Sequence, residues 1–167
     1  KINIFYLFNK DQINAQNADK TFRNSENGEI YGFESEFRTS LTDNDQLYLN
    51  YSYADGENTS GVMANSAQSM AKLYYIHNIN SMFALSSIIK YVGEKDRING
   101  DNREKVDDYT TVDFTATYSY KPSDLTISLS VKNIFDEHPV LSSPVDTYPT
   151  DFKQDGQSFL VRMSKRF

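Results

Sequence analysis

The sequence contains no cysteine, which excludes a disulfide framework and a thiolate metal site. Its 2 histidines, His77 and His138, stand far apart without ligand spacing, a poor basis for a metal centre. No apolar run is long enough for a transmembrane helix. The opening residues, KINIFYLFNK, have neither the apolar core nor the cleavage site of a signal peptide. They begin inside an alternating segment, as if cut from something longer. Positive charge is also in short supply: 17 Lys and Arg against 23 Asp and Glu give a net charge of -6 and a pI of about 4.9. Such a chain is not expected to bind nucleic acid by neutralising phosphates. There is no GxSxG turn, no Ser-His-Asp spacing and no phosphate-binding glycine loop, so no enzyme and no cofactor are expected.

What is present is aromatic. The chain has 12 Tyr and 11 Phe among 167 residues despite a mean hydropathy of -0.62. A disordered acidic chain is poor in aromatics, so this one is expected to be ordered, as one domain. Period two dominates and the helical period is nearly absent. About eight strands are expected, over residues 1–9, 29–41, 46–54, 70–77, 82–92, 109–120, 125–135 and 158–167. The sixth is the cleanest: Val112, Phe114, Ala116, Tyr118 and Tyr120 alternate with Asp113, Thr115, Thr117 and Ser119.

Connections alternate in length. TDND (42–45), NINS (78–81) and KPSD (121–124) read as tight turns, whereas 10–28, 55–69, 93–108 and 136–157 read as long polar loops. The fold class is therefore all-β, an antiparallel up-and-down meander with its short turns at one end. Two solvents suit such strands. In a soluble barrel the apolar face points inward and can enclose an apolar ligand; in a membrane barrel lipid takes that face and the lumen takes the polar one. Strand length, Tyr and Phe near strand ends and a terminal aromatic strand favour the membrane sense. A complete small eight-stranded outer-membrane barrel, an adhesin or structural protein, remains an alternative.

Two stretches carry a resemblance. VKNIFD, with Val131, Asn133, Ile134, Phe135 and Asp136, and the ending SFLVRMSKRF, with Phe159, Val161 and Phe167, resemble the close of TonB-dependent outer-membrane receptors. Upstream, FYLFNKDQI, then NSENGEIYGFESEFR with Tyr31, Gly32, Glu34 and Glu36, and then LYLNYSYADGEN resemble earlier strands of the same family in the same order. Two features depart: no P-G-R triplet precedes the last strand, and Lys165 stands where tyrosine is common.

The resemblance implies the carboxy-terminal portion, residues 1–167, of a transmembrane barrel of about 22 strands in the outer membrane of a Gram-negative bacterium, without its plug domain. It implies uptake of a ferric siderophore or similar scarce nutrient, with outer-membrane lipid, lipopolysaccharide, the plug and the TonB complex as partners. A siderophore brings its own iron ligands, so no protein metal ligand is required. The long loops would be extracellular, and Tyr53, Asp96, Arg97 and Tyr148 are candidate ligand contacts, with an interface-anchor role the commoner one for tyrosines such as Tyr53 and Tyr148. Glu34, Glu36, Arg38, Asp113, Lys132, Arg162 and Arg166 fall on polar strand faces and are expected to face the lumen, either touching plug and ligand or keeping the interior polar. The most charged loop, 93–108, lacks the EF-hand spacing of a calcium site, although Asp107 and Asp108 could meet lipopolysaccharide through divalent ions.

Overall fold

The computed structural model describes residues 1–16, 21–58, 61–144 and 148–166. Its strands, in chain order, are β1 (Ile2–Gln16), β2 (Thr21–Ser40), β3 (Asp45–Asn58), β4 (Gly61–Val62), β5 (Ser69–Asn78), β6 (Phe83–Val92), β7 (Tyr109–Tyr120), β8 (Leu125–Lys132), β9 (Val140–Leu141), β10 (Phe152–Lys153) and β11 (Ser158–Lys165). Eight form one antiparallel meander in the order β1-β2-β3-β5-β6-β7-β8-β11. The two-residue β4 adds to β3, and β9 pairs with β10 apart from the main sheet. No α-helix occurs among the described residues; a single 3-10 turn, Lys121–Ser123, joins β7 to β8.

The three tight turns fall where polar turn chemistry places them. After β2, the Thr42 hydroxyl accepts the Asn44 N–H at 3.1 Å and donates to the Asp45 carboxylate. After β5, Asn80 Oδ1 accepts the N–H groups of Met82 and Phe83 at 2.8 and 3.0 Å. After β7, Pro122 is the second residue of the 3-10 turn and Asp124 closes it at φ +45°. Asparagine and aspartate serve here because their short polar side chains substitute for backbone partners and tolerate left-handed φ.

The register sorts the side chains into two faces. Glu34 pairs with Ser52 and Asn3, Arg38 with Tyr48, Asn50 with Lys72, Thr115 with Ser130, and Arg162 with Ser128. The opposite face holds Phe37 with Leu49, Leu73 with Ile89, Ala116 with Leu129 and Leu129 with Val161. Directly opposed residues share a face, so the alternation read along single strands carries across the sheet.

That apolar face is bare. Val106 is the one buried hydrophobic side chain among the described residues, whereas Ile4, Phe159 and Val161 are 80%, 74% and 68% exposed. A water-soluble domain of this length hides its apolar side chains in a core. A sheet whose apolar face is all surface needs an apolar solvent, and lipid supplies one. Tyrosine hydroxyls near the long-loop end reach carboxylates, Tyr6 donating to Glu29 at 2.6 Å and Tyr31 to Asp55 at 3.2 Å. Phe83 and Tyr118 stack with ring centroids 4.9 Å apart near the short-turn end. Two aromatic belts flanking an apolar band is the pattern of a membrane strand layer.

The structure corrects three expected boundaries. Residues 10–16 and 21–28, expected within a loop, are strand: β1 and β2 continue as a ladder to Gln16 and Thr21, with a register irregularity beside Asp11, whose φ is +56°. This extension is polar almost throughout, so no apolar alternation marks it. Likewise β3 runs on to Asn58 instead of stopping at Ala54. Conversely β8 stops at Lys132 rather than Phe135, because Asn133 turns the backbone to φ +51°. Finally, β1 and β11 do not pair with each other among the described residues. An eight-strand sheet with both edges open is not a closed small barrel; it is a sector of a larger one, consistent with about 22 strands.

Candidate functional site

The corner after β8 explains the VKNIFD stretch. Asp113 Oδ1 accepts the Asn133 N–H at 2.9 Å. The Asn133 side chain then donates to the Glu137 carbonyl at 2.7 Å and accepts the Glu137 N–H at 3.0 Å. Asp136, at φ +56°, accepts the Gln157 N–H at 2.7 Å, and Gln157 Nε2 donates to the Ile134 carbonyl at 3.0 Å. The two ends of the 136–157 connection are thereby tied at the base. A Cβ on Gly156 would run into the Asp136 carboxylate and the His138 ring. Asn133 is 7% exposed. Phe135, in contrast, is 73% exposed, and Ile134 is held by its N–H to the Val112 carbonyl at 2.8 Å. Phe167 lies outside the described residues.

Above this corner two loops are bolted together. Arg97, from the 93–108 loop, donates from Nη2 to Asp151 Oδ2 at 2.6 Å and from Nη1 to Asp151 Oδ1 at 3.0 Å, and its Nε donates to the Glu104 carbonyl. Arg103 donates to Asp101 at 2.6 Å, to Asp151 Oδ1 at 3.3 Å and to the Ser143 carbonyl at 2.8 Å. The side chains of Arg97 and Asp101 are only 8% and 2% exposed. Hydrogen bonding from Arg97 pulls the Asp151 carboxyl from an ordinary 3.8 down to about 2. Arg103 lowers Asp101 in the same way, while the Asp151 carboxylate raises Arg97. Two planar guanidinium forks interleaved with two carboxylates satisfy one another, which makes burial of four charges tolerable.

This geometry sorts the expected ligand contacts. Arg97 is engaged in the inter-loop cluster and little exposed. Asp96 is paired with Lys105 at 3.0 Å. Tyr53 lies within β3 on the apolar face, as the alternation along that strand implies, its ring 6.1 Å from Phe33 and its hydroxyl donating to Asp55 at 3.4 Å. Tyr148 alone of the four presents an open aromatic surface, 48% exposed and packed at a tilt against Phe152 with ring centroids 5.0 Å apart. Sequence reasoning missed Asp101, Arg103 and Asp151, because nothing local links positions 48 and 54 residues apart.

Glu34, Glu36, Arg38, Asp113, Lys132 and Arg162 share the polar face through the register. Arg166 follows β11 there, its N–H donating to the Asp124 carbonyl at 3.3 Å. Arg38 lies 4.6 Å over the Tyr48 ring, and Lys90 pairs with Asp113 at 3.0 Å. No group of metal-ligating side chains large enough to hold an ion occurs among the described residues.

Comparison with known proteins completes the picture. The family model described as TonB dependent receptor-like, beta-barrel matches residues 1–134. No curated protein sequence matches the chain. The solved ferric yersiniabactin uptake receptor FyuA from Yersinia pestis superposes with a TM-score of 0.82 at 17% identity, over 99% of this chain and 27% of that one. The siderophore receptor PiuA from Acinetobacter baumannii gives 0.77 at 18% identity, over 99% and 26%. The copper transporter OprC gives 0.79 at 17% identity, over 97% and 27%. The chain thus spans roughly a quarter of these structures, and identities this low speak for the fold alone. Family members are receptors and transporters, not enzymes. By the match over residues 1–134 and by its sheet, this chain belongs to the TonB-dependent receptor-like β-barrel family.

Proposed function

We propose that residues 1–167 form the carboxy-terminal wall of a TonB-dependent receptor in the outer membrane of a Gram-negative bacterium, which imports a ferric siderophore or a similar scarce nutrient. The observation that carries this reading is a polar sheet face backed by an exposed apolar one, open at both edges. Such a sheet serves as wall between lipid and an aqueous interior. The clamped loops, with Tyr148 and Phe152 on their surface, would meet the ligand outside; the polar face would line the passage. Plug and TonB contacts would belong to an amino-terminal part of the same receptor. FyuA is by name a ferric yersiniabactin uptake receptor, PiuA a siderophore receptor and OprC a copper transporter, which supports a metal-carrying nutrient as cargo.

Two measurements test this. Antiserum against the segment should detect an outer-membrane band several times heavier than 19.2 kDa; a band near that mass overturns the receptor reading. Deletion of the corresponding gene should abolish growth on one ferric siderophore of a panel under iron limitation. Undiminished growth on all of them would refute siderophore uptake.

A further inference from the structure

Asparagine is followed by glycine twice in the chain, at Asn27–Gly28 and at Asn99–Gly100. The pair has a chemistry of its own, because glycine places no Cβ in the way of its amide nitrogen, which can then reach the asparagine side-chain carbonyl. In sequence the two pairs are equivalent; the fold separates them. Gly28 is held in the ladder from both sides, opposite Asn9 and opposite Asn58. Asn27 Oδ1 accepts the Asp11 N–H at 3.2 Å, which fixes that side chain as well. Asn99 and Gly100 instead form the middle of an exposed turn in the 93–108 loop, closed by the Asp101 N–H on the Ile98 carbonyl at 3.1 Å. Gly100 has φ +90°, the sign that a type II turn requires at its third residue. Nothing lies within 4 Å of the place its Cβ would take, and among the described residues no hydrogen bond takes its N–H.

We propose that Asn99 is a site of spontaneous deamidation, with isoaspartate as its main product. The Gly100 nitrogen attacks Asn99 Cγ: an N–C bond forms, the Cγ–Nδ2 bond breaks, and Nδ2 leaves as ammonia with the proton that Gly100 gives up. The five-membered succinimide then takes up one water. Opening at the former backbone carbonyl carries the chain onward through Cβ and Cγ as isoaspartate; opening at Cγ gives aspartate. Water is the only co-reactant.

The site matters through its neighbours. Asn99 stands between Arg97 and Asp101, whose little-exposed side chains belong to the inter-loop cluster with Nη1 and Oδ2 3.8 Å apart. Its own side chain lies against Gly61 of β4, where a Cβ would come within 2.6 Å of Nδ2, so the turn also leans on the 55–69 loop. Isoaspartate adds one backbone carbon and one negative charge at this point. A tight turn is defined by the close approach of its ends, and the inserted carbon displaces one of them, and with it a partner in the cluster. Deamidation of this one residue therefore releases two loops that are otherwise clamped.

The test ages the full-length receptor in detergent, in mildly alkaline heavy-oxygen water, and follows both Asn-Gly peptides by mass spectrometry. Conversion at Asn99, with one heavy oxygen incorporated and isoaspartate identified by fragmentation, should run at least about tenfold faster than at Asn27, whose ladder must open first. In urea, with the pairing gone, the two should convert alike. Equal rates in the folded receptor overturn the proposal, as does an Asn99 that stays intact; a difference that persists in urea would assign the selectivity to sequence instead of fold and overturn it too. For the consequence, converted receptor should be cut within 93–108 and 136–157 about tenfold faster than fresh receptor by limited proteolysis. Asn99→Gln keeps the amide but needs a six-membered ring, which closes far more slowly, so its aged and fresh forms should be cut alike. Ageing that loosens this variant as much as the parent would overturn Asn99 as the cause.

Discussion

Arg97 and Asp151 are separated by 54 residues in the chain, and two parallel N–H···O bonds of 2.6 and 3.0 Å join them in space. This pair makes one body of two long connections that would otherwise move independently. The cluster thereby gives both connections a defined shape beyond the end of the sheet.

Asp151→Asn should release the clamp while leaving the sheet intact. It removes a charged partner from Arg97 and Arg103, and breaking one side of a shielded ion pair strands the other. Limited proteolysis of the full receptor should cut within 93–108 and 136–157 about tenfold faster than in the parent, with heat-modifiable migration of the barrel unchanged. Equal cutting rates would show that the loops are held by something else.

The same cluster sets a pH window. The Asp151 carboxyl is depressed from 3.8 to about 2, so its contribution is fully present above the ordinary value and lost as pH falls through the depressed one. Both arginines stay protonated throughout. Hydrogen exchange at 93–108 should be flat from neutral pH down to about 4 and should rise, after correction for intrinsic rates, between about pH 4 and 2. A rise centred near pH 6 would contradict this origin.

Asn133 should resist substitution for two separable reasons. Asn133→Ala loses the side-chain bonds to Glu137 and must hold alanine at φ +51°; together these cost about 2–4 kcal/mol. Asn133→Gly keeps the turn and loses only the side-chain bonds, about half as much. Urea titration of the refolded receptor should rank parent above glycine above alanine. An alanine variant as stable as the parent would mean that the corner does not depend on this residue.

How much of this could be read beforehand depends on where each residue sits. Leu129 and Ser130 were legible because membrane strands must alternate, and alternation survives in any register that keeps the faces apart. The tight turns at Asn80 and Pro122 were legible from local chemistry. The polar outward extension of β1 and β2 was not, since its residues are polar at nearly every position and carry no apolar alternation. Nor was the Arg97–Asp151 pair, because a loop-to-loop contact leaves no period. Tyr53 was legible in the same way as Leu129: its parity with Leu49 and Tyr51 assigns it to the apolar face, opposite Phe33.

The two faces should respond oppositely to the same charge. Leu129→Lys, on the apolar face, should cost about 2–4 kcal/mol if it sits near the bilayer midplane. Ser86→Lys, on the polar face, should cost less than about 1 kcal/mol. Folding of both receptor variants into lipid vesicles, followed by urea titration, gives the comparison; equal penalties would refute the assignment of faces.

Val106 is the one buried hydrophobic side chain among the described residues, and this has a calorimetric meaning. In a soluble protein, denaturant sensitivity and the heat-capacity step on unfolding both scale with apolar surface newly wetted. Here the oily surface is already outside, against acyl chains or detergent tails. If the unfolded chain keeps those tails around it, little apolar area changes solvent. The barrel wall should then melt with a heat-capacity step well below that of a soluble domain of equal length, and its cohesion should come chiefly from the backbone ladder.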